Sequence, residues 1–252
     1  MKVIVNADDF GYSKSINYGI LEAHENGILT SATMMMNMPG TNHACFIAKN
    51  TPSLGVGVHF ALTIGEPLTV CPSLTDTSGQ FLKRDRFFKG ELNLEEVKRE
   101  LSAQLSRFLE EGLTPTHFDS HHHVHSHPIV WQALTELADS MQVPVREPLS
   151  RDLPDQEKYT VCSFYSSFYG EKLLPNHFIS LIEELDGKDA IEVMTHPGYA
   201  DAFVMENSSY NVQRVYETKA LLDPALKEWT AEKNIELCHY GHLKDRLLKK
   251  AL

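Results

Sequence analysis

Clustered basic residues are missing from this sequence of 252 residues, whose 23 Lys and Arg are outnumbered by 34 Asp and Glu for a formal net charge of −11. Nucleic acid and anionic membrane both require grouped cations, so neither is expected as a partner. A small anionic substrate needs only one or two local cations and stays open. Cysteine is sparse as well, since Cys45, Cys71, Cys162 and Cys238 are scattered and form no CxxC pair. Together with the lack of a signal peptide or a long apolar run, this leads to the expectation of a soluble protein of a reducing compartment, the cytoplasm. No GxGxxG, P-loop or GxSxG occurs, which removes the usual dinucleotide, nucleotide and serine-hydrolase readings. No Pro/Gly/Ser-rich linker or internal repeat divides the chain.

What is present is an alternation of short β-rich runs with amphipathic stretches of helical length. A barrel of this alternation typically needs about 250 residues, so a single α/β domain over 1–252 is expected, with parallel strands and right-handed crossovers. A chain this long buries its core without a structural metal, so any metal is expected to be functional. Strands are predicted at Lys2–Val5, Thr33–Met36, Gly55–Phe60, His117–Asp119, Val143–Arg146, Ile191–Met194 and Ile235–Leu237. Helices are predicted over Ser13–Asn26, over Leu94–Glu111 and after Pro128. In the second, Asn93 and Glu96 have capping spacing, while Val97, Leu101, Leu105, Phe108 and Leu109 make one face. The glycines of GVGVHF suggest close backbone approach. Residues 71–90 and 151–175 read as irregular loops that shape a pocket.

Ionisable residues collect where the apolar strands end. VIVN runs into Asp8-Asp9, GVGV into His59, THF into Asp119 and the histidines, VPV into Arg146, and IEVM into Thr195-His196. In barrels and open α/β sheets that is the face where active sites are built. Asp8 and Asp9 can share one site only where the strand bends, and Phe10-Gly11 supplies a bend; one carboxylate then holds a cation while the other serves as a base. The alternative is a cap on the helix near Ser13. The sequence has 13 histidines, and a dense group of them lies between His117 and His127. If Asp119–His125 is extended, His121, His123 and His125 line one side and His122 the other, and Asp119 can orient a ligating ring through its second nitrogen. An aspartate, His59 and one histidine of the run make a three-ligand catalytic set with a position left for water or substrate. The alternatives are a core role for His59 and a surface histidine cluster with adventitious metal affinity. His196 could protonate a leaving group or be structural. Arg146 could orient the base, bind an anionic substrate group, or form an ordinary ion pair. Met34–Met36 and Met38 read as core packing. Phe164, Tyr165, Phe168 and Tyr169 read as a sugar platform or as buried loop anchors.

At these residues the sequence resembles a known family, the YdjC-like carbohydrate deacetylases. The matching segments are VNADDFGYSKSINYGILEA, GVHFALTIGEPLT, PTHFDSHHHVH, VPVRE and EVMTHPGY, and they span nearly the whole chain. The resemblance implies a distorted, TIM-like (β/α) barrel with its active site at the C-terminal strand ends. It implies one divalent metal held by an Asp-His-His set, and hydrolysis of an N-acetyl group on an N-acetylglucosamine-containing oligosaccharide, releasing acetate. Carried onto this sequence, the metal ligands are Asp9, His59 and His121, with Asp8 as general base and His196 as general acid. Arg146 would hold Asp8 charged. In the chitooligosaccharide branch the substrates are of the chitobiose or chitobiose-6-phosphate type, which implies a place in chitin degradation. Two histidines and a carboxylate suit Zn²⁺; Mg²⁺ is the other leading candidate, with Mn²⁺, Co²⁺ and Ni²⁺ behind. A homodimer is the default assembly. The rival readings are a metal-dependent phosphoesterase, which commonly uses two or more metals, and a catalytically silent carbohydrate-binding protein.

Overall fold

β1 (Lys2–Phe10) is the central strand of a parallel sheet in the computed structural model, which describes residues 1–185 and 187–250. Its KVIVNA stretch is covered on both faces, as a near-continuous apolar run requires. Along one edge it pairs with β6 (Ala190–Thr195) from Lys2 to Ala7. Along the other, β7 (Glu236–Cys238) takes Lys2–Ile4 and β2 (Ser31–Met34) takes Asn6–Phe10. β3 (Gly55–Phe60) and β4 (Phe118–Ser120) continue the sheet beyond β2, and β5 (Ser163–Tyr165) lies outside β6. Every pairing between these strands is parallel, as the strand–helix alternation requires.

Beyond β4, Val145 bridges to Phe118, and Arg146 donates its backbone N–H to the Phe118 carbonyl. This segment is a single bridge and not the full strand expected at Val143–Arg146, because Pro144 has no N–H for the ladder. The Arg146 guanidinium lies 4.7 Å from the ring centre of Phe164 on β5. That contact brings the two margins of the sheet together, so the sheet curls into a distorted half-barrel. The expected α/β barrel architecture holds.

The helices cover this sheet. They are α1 (Lys14–Glu25), α2 (Thr41–Asn50), α3 (Arg84–Phe87), α4 (Leu94–Glu110), α5 (Pro128–Met141) and α6 (Gln156–Tyr159). Further along come α7 (Pro175–Glu184), α8 (Ala202–Asn207), α9 (Val212–Leu221), α10 (Pro224–Glu232) and α11 (Lys244–Lys250). Ser13 caps α1 by accepting from Ile16 N–H, so neither aspartate is used as its cap. Asn93 caps α4 through Glu95 and Glu96 N–H. The Glu96 carboxylate does not close a capping box; it accepts from Ser73 N–H and ties the 71–90 loop to the helix. Val97, Leu101, Leu105 and Phe108 are buried as predicted, whereas Leu109 is 39% exposed and falls off that face. Gly57 sits where an added Cβ would lie 2.5 Å from the His117 carbonyl oxygen, so β3 and β4 approach closely only through glycine.

Met34, Met35, Met36 and Met38 are buried in the main apolar cluster, as is Trp131. All four cysteines are free thiols. The loop expected at 71–90 contains the short helix α3, and 151–175 contains β5, a strand too short for periodicity to reveal. Among the described residues no helix is long and apolar enough to cross a membrane.

Candidate metal centre and catalytic cleft

The two aspartates reach one site because β1 bulges at Asp9. Its φ is +66°, and the pairing with β2 jumps from Ala7–Ala32 to Phe10–Met34. Aspartate tolerates this left-handed conformation better than most residues, and the bend therefore falls at Asp9 itself, ahead of Phe10-Gly11. Asp8 and Asp9 both line a cleft of about 590 Å³ at the C-terminal ends of the strands.

The histidine run corrects the extended reading. After β4 it folds into a tight turn, with φ of 55° at both His122 and His123. His121, His122 and His123 consequently all line the cleft. His125 turns inward, where its Nδ1 lies 2.6 Å from Ser120 Oγ.

Asp9, His59 and His121 converge. Asp9 Oδ1 is 2.9 Å from His121 Nδ1 and 3.4 Å from His59 Nε2. The His59 ring is turned by its other nitrogen, which stands 2.7 Å from Asp119 Oδ1; these two residues are register partners in β3 and β4. That leaves His59 Nε2 buried without a hydrogen-bond partner among the described residues. One atom from each of Asp9, His59 and His121 lies within 4.8 Å of the others. A buried orphaned imidazole nitrogen beside a carboxylate oxygen and a second imidazole fits a divalent cation. Asp8, His59 and Asp119 are also close enough together, but both Asp119 oxygens are committed. Oδ1 faces His59, while Oδ2 takes Thr33 Oγ1 at 3.0 Å and Arg146 at 2.8 Å.

The electrostatics favour positive charge at the same point. Burial alone would lower His59, yet the Asp119 carboxylate on Nδ1 and the Asp9 carboxylate beside Nε2 push it up to about 10. Burial would raise Asp9, but Arg214 and His121 hold it well below the usual carboxylate range.

Asp8 has a different setting. Arg146 clamps it through two hydrogen bonds, Nη1 to Oδ2 at 2.8 Å and Nη2 to Oδ1 at 2.6 Å, and Asn6 Nδ2 donates to Oδ1 at 3.0 Å. The Arg146 charge and its hydrogen bonds outweigh burial and keep Asp8 ionised. Arg146 is fully buried among Asp8, Asp119 and Glu192. The expectation that it meets an anionic substrate group is therefore corrected, because no face of it is open; nor is it an ordinary surface pair.

His196 stands on the facing wall after β6. Glu217 of α9 accepts the His196 backbone N–H and the Tyr210 hydroxyl, the latter at 2.5 Å. The His196 ring lies 5.5 Å from both Tyr169 and Tyr210, and burial pulls it down to about 4, so it is neutral at pH 7. Its loop rests on α1 through paired glycines, where a Cβ on Gly19 would sit 2.5 Å from Gly198 Cα.

The aromatic stretch divides by role. Phe168 is a buried anchor against Phe178, while Tyr169 is 51% exposed, lines the cleft and stacks on Tyr210 at 4.2 Å.

Sequence reasoning missed Arg214, Glu217, Glu192 and Asn6. Glu192 and Asn6 left a trace as polar residues inside the apolar strands AIEVMT and VIVN. Arg214 and Glu217 left only an i, i+3 polar pair on α9, which reads as a solvated helix face. In the fold that pair is buried, and Arg214 Nη2 donates to Asp9 Oδ2 at 2.6 Å.

A curled parallel sheet carries an Asp-His-His cluster that could hold a metal ion at its strand ends, with a second clamped aspartate beside it, on a barrel-like α/β fold. The chain belongs to the family described as YdjC-like protein, whose profile matches residues 2–232. It is 48% identical over 94% of its length to a protein from Geobacillus stearothermophilus named carbohydrate deacetylase, covering 96% of that protein. A Yersinia enterocolitica protein named chitooligosaccharide deacetylase is 41% identical, with 95% of this chain and 98% of the relative covered. A crystal structure from Enterococcus faecalis, whose description proposes cellobiose-phosphate cleavage, superposes with a TM-score of 0.90 at 32% identity. That match covers 96% of this chain and 98% of the other.

Proposed function

We propose that the chain, as one catalytic unit, is a metal-dependent carbohydrate deacetylase that removes an N-acetyl group from N-acetylglucosamine-containing oligosaccharides and releases acetate. The observation that carries this reading is the convergence of Asp9, His59 and His121 beside an ionised Asp8. The names of the relatives point to the same substrate class. Asp9, His59 and His121 would hold the cation. When bound, a divalent cation supplies Lewis acidity, making water more acidic and an amide carbonyl more electrophilic.

The protein groups do the rest. Asp8, kept charged by Arg146, takes a proton from the attacking water. As the C–N bond breaks, a proton must reach the sugar nitrogen, and we assign that delivery to His196. Its ring begins neutral, so the proton it carries is acquired within the cycle, and the one that Asp8 gains from water is available. Glu217 and Tyr210 fix the His196 segment during the transfer. Lys83 and Arg84 on the cleft rim suit a phosphorylated form of the sugar, of the chitobiose-6-phosphate type.

Acetate release from N,N′-diacetylchitobiose and its 6-phosphate, with Zn²⁺ or Mg²⁺ and after chelation, tests the reading. Metal-dependent acetate is the expected result. Sugar binding without acetate under any divalent ion would return the chain to a silent binding role.

A further inference from the structure

Beside the catalytic cleft lies a second cavity of about 450 Å³, within the roughly 300–1,000 Å³ usual for small-ligand sites. Tyr12, Ile64, Lys83 and Asn207 line both hollows, so the two meet along a common wall. One unsatisfied group marks the second. Asn37 donates from Nδ2 to the carbonyls of Ile64 and Glu66, at 3.0 and 3.2 Å, which fixes the amide orientation. Its Oδ1 is thereby left buried without a partner among the described residues. A small shift that opens this acceptor to the cavity would let it take an O–H or N–H donor from a ligand. The opposite character comes from Phe203, whose ring packs 5.6 Å from that of Tyr12 and gives the cavity an apolar aromatic side. Gln80 donates to Glu66 at 3.2 Å, and Glu66 offsets Lys83, so the lining has no excess of positive charge.

A pyranose has an apolar face and a rim of hydroxyl donors, and it is uncharged. A phosphate offers acceptors only and would meet an orphaned carbonyl oxygen and a carboxylate. The chemistry favours the sugar.

We propose that this cavity is a second sugar subsite, taking the neutral pyranose joined to the acetylated residue in the cleft. The inference rests on the deacetylase reading and adds where the neighbouring ring goes and which residues grip it. Phe203, Gln80 and Asn37 are then specificity residues for chain length, without contact with the reacting amide.

The test uses the metal-loaded full chain and follows acetate release from N,N′-diacetylchitobiose, with N-acetylglucosamine as a competitor, so that monosaccharide binding is read without turnover. Phe203→Ala, and Gln80→Ala as a second variant at an exposed side chain, should raise the disaccharide KM about tenfold. Both kcat and the monosaccharide inhibition constant should stay within about twofold. A monosaccharide constant that rises in step with KM, or a KM unmoved in both variants, would overturn the subsite. A wild-type protein that releases no acetate from either the disaccharide or its 6-phosphate removes the deacetylase reading itself, and this subsite with it.

Discussion

On one wall of the cleft, Asp8, Asp9, His59 and the histidine turn stand at the ends of β1, β3 and β4. On the other, His196 follows β6, but the groups that support the wall, Glu217 and Arg214, come from α9. The strand wall is set by register. His59 faces Asp119 because β3 and β4 pair there, and Arg146 is delivered by a segment bonded to Phe118. The helix wall is set by α9 instead: it rests on α1 and bonds the His196 loop through Glu217 and Thr218, and that loop touches α1 at the Gly19–Gly198 contact. On the proposed reading, the cation side of the cleft is positioned by sheet hydrogen bonds, and the proton-delivering side by α9, through its packing on α1 and its hydrogen bonds to the His196 loop. Arg214 crosses between the two, from the helix wall onto Asp9 of the strand wall.

Perturbing each wall should leave a different signature. Asp8→Asn keeps the shape of the strand wall and removes its base. Acetate release should fall about 10²–10⁴-fold while divalent-metal affinity barely changes; equal loss of both would move Asp8 into the metal set. Arg146→Met leaves Asp8, Asp119 and Glu192 buried without their counter-charge. We expect a loss of about 3–5 kcal/mol in unfolding free energy, measured by denaturant titration, and a near-neutral result would mean that the carboxylates find protons or water cheaply. Gly19→Ala forces a Cβ into Gly198 and should cost about 1–3 kcal/mol. Its predicted mark is a drop in kcat with metal affinity retained, since only the helix wall is disturbed. Arg214→Met frees one Asp9 oxygen, and calorimetry should record metal binding weakened about 10–100-fold, the size usual for lost supports of a metal ligand. If metal affinity is unchanged while kcat collapses, Arg214 belongs with His196 and the walls are not bridged.

The same division governs what the sequence revealed. Strand-borne groups are legible because a short parallel strand points its C-terminal residues at one face, so Asp8-Asp9, His59, Asp119, Arg146 and His196 group from the strand pattern alone. Local backbone conformation was harder. The bulge at Asp9 and the left-handed turn at His122 and His123 have no periodic signature, so the histidine run read as extended. Helix-borne supports were least legible, because nothing in VQRVYETK tells a buried Arg214 and Glu217 from an exposed charged face. Only the packing of α9 on α1 decides it. Arg146 was located with its Asp8 partner, but its full burial was not legible, since the other carboxylates that enclose it come from β4 and β6, with Glu192 hidden in an apolar run.

The most direct test of the central claim is the metal stoichiometry of the purified chain, titrated with Zn²⁺ by calorimetry alongside Asp9→Ala, His59→Ala and His121→Ala. One ion per wild-type chain, with affinity severely reduced in each variant, is the predicted result. Two or more ions per chain would favour a phosphoesterase, and a single ion whose affinity is indifferent to all three substitutions would contradict the Asp9, His59 and His121 centre outright.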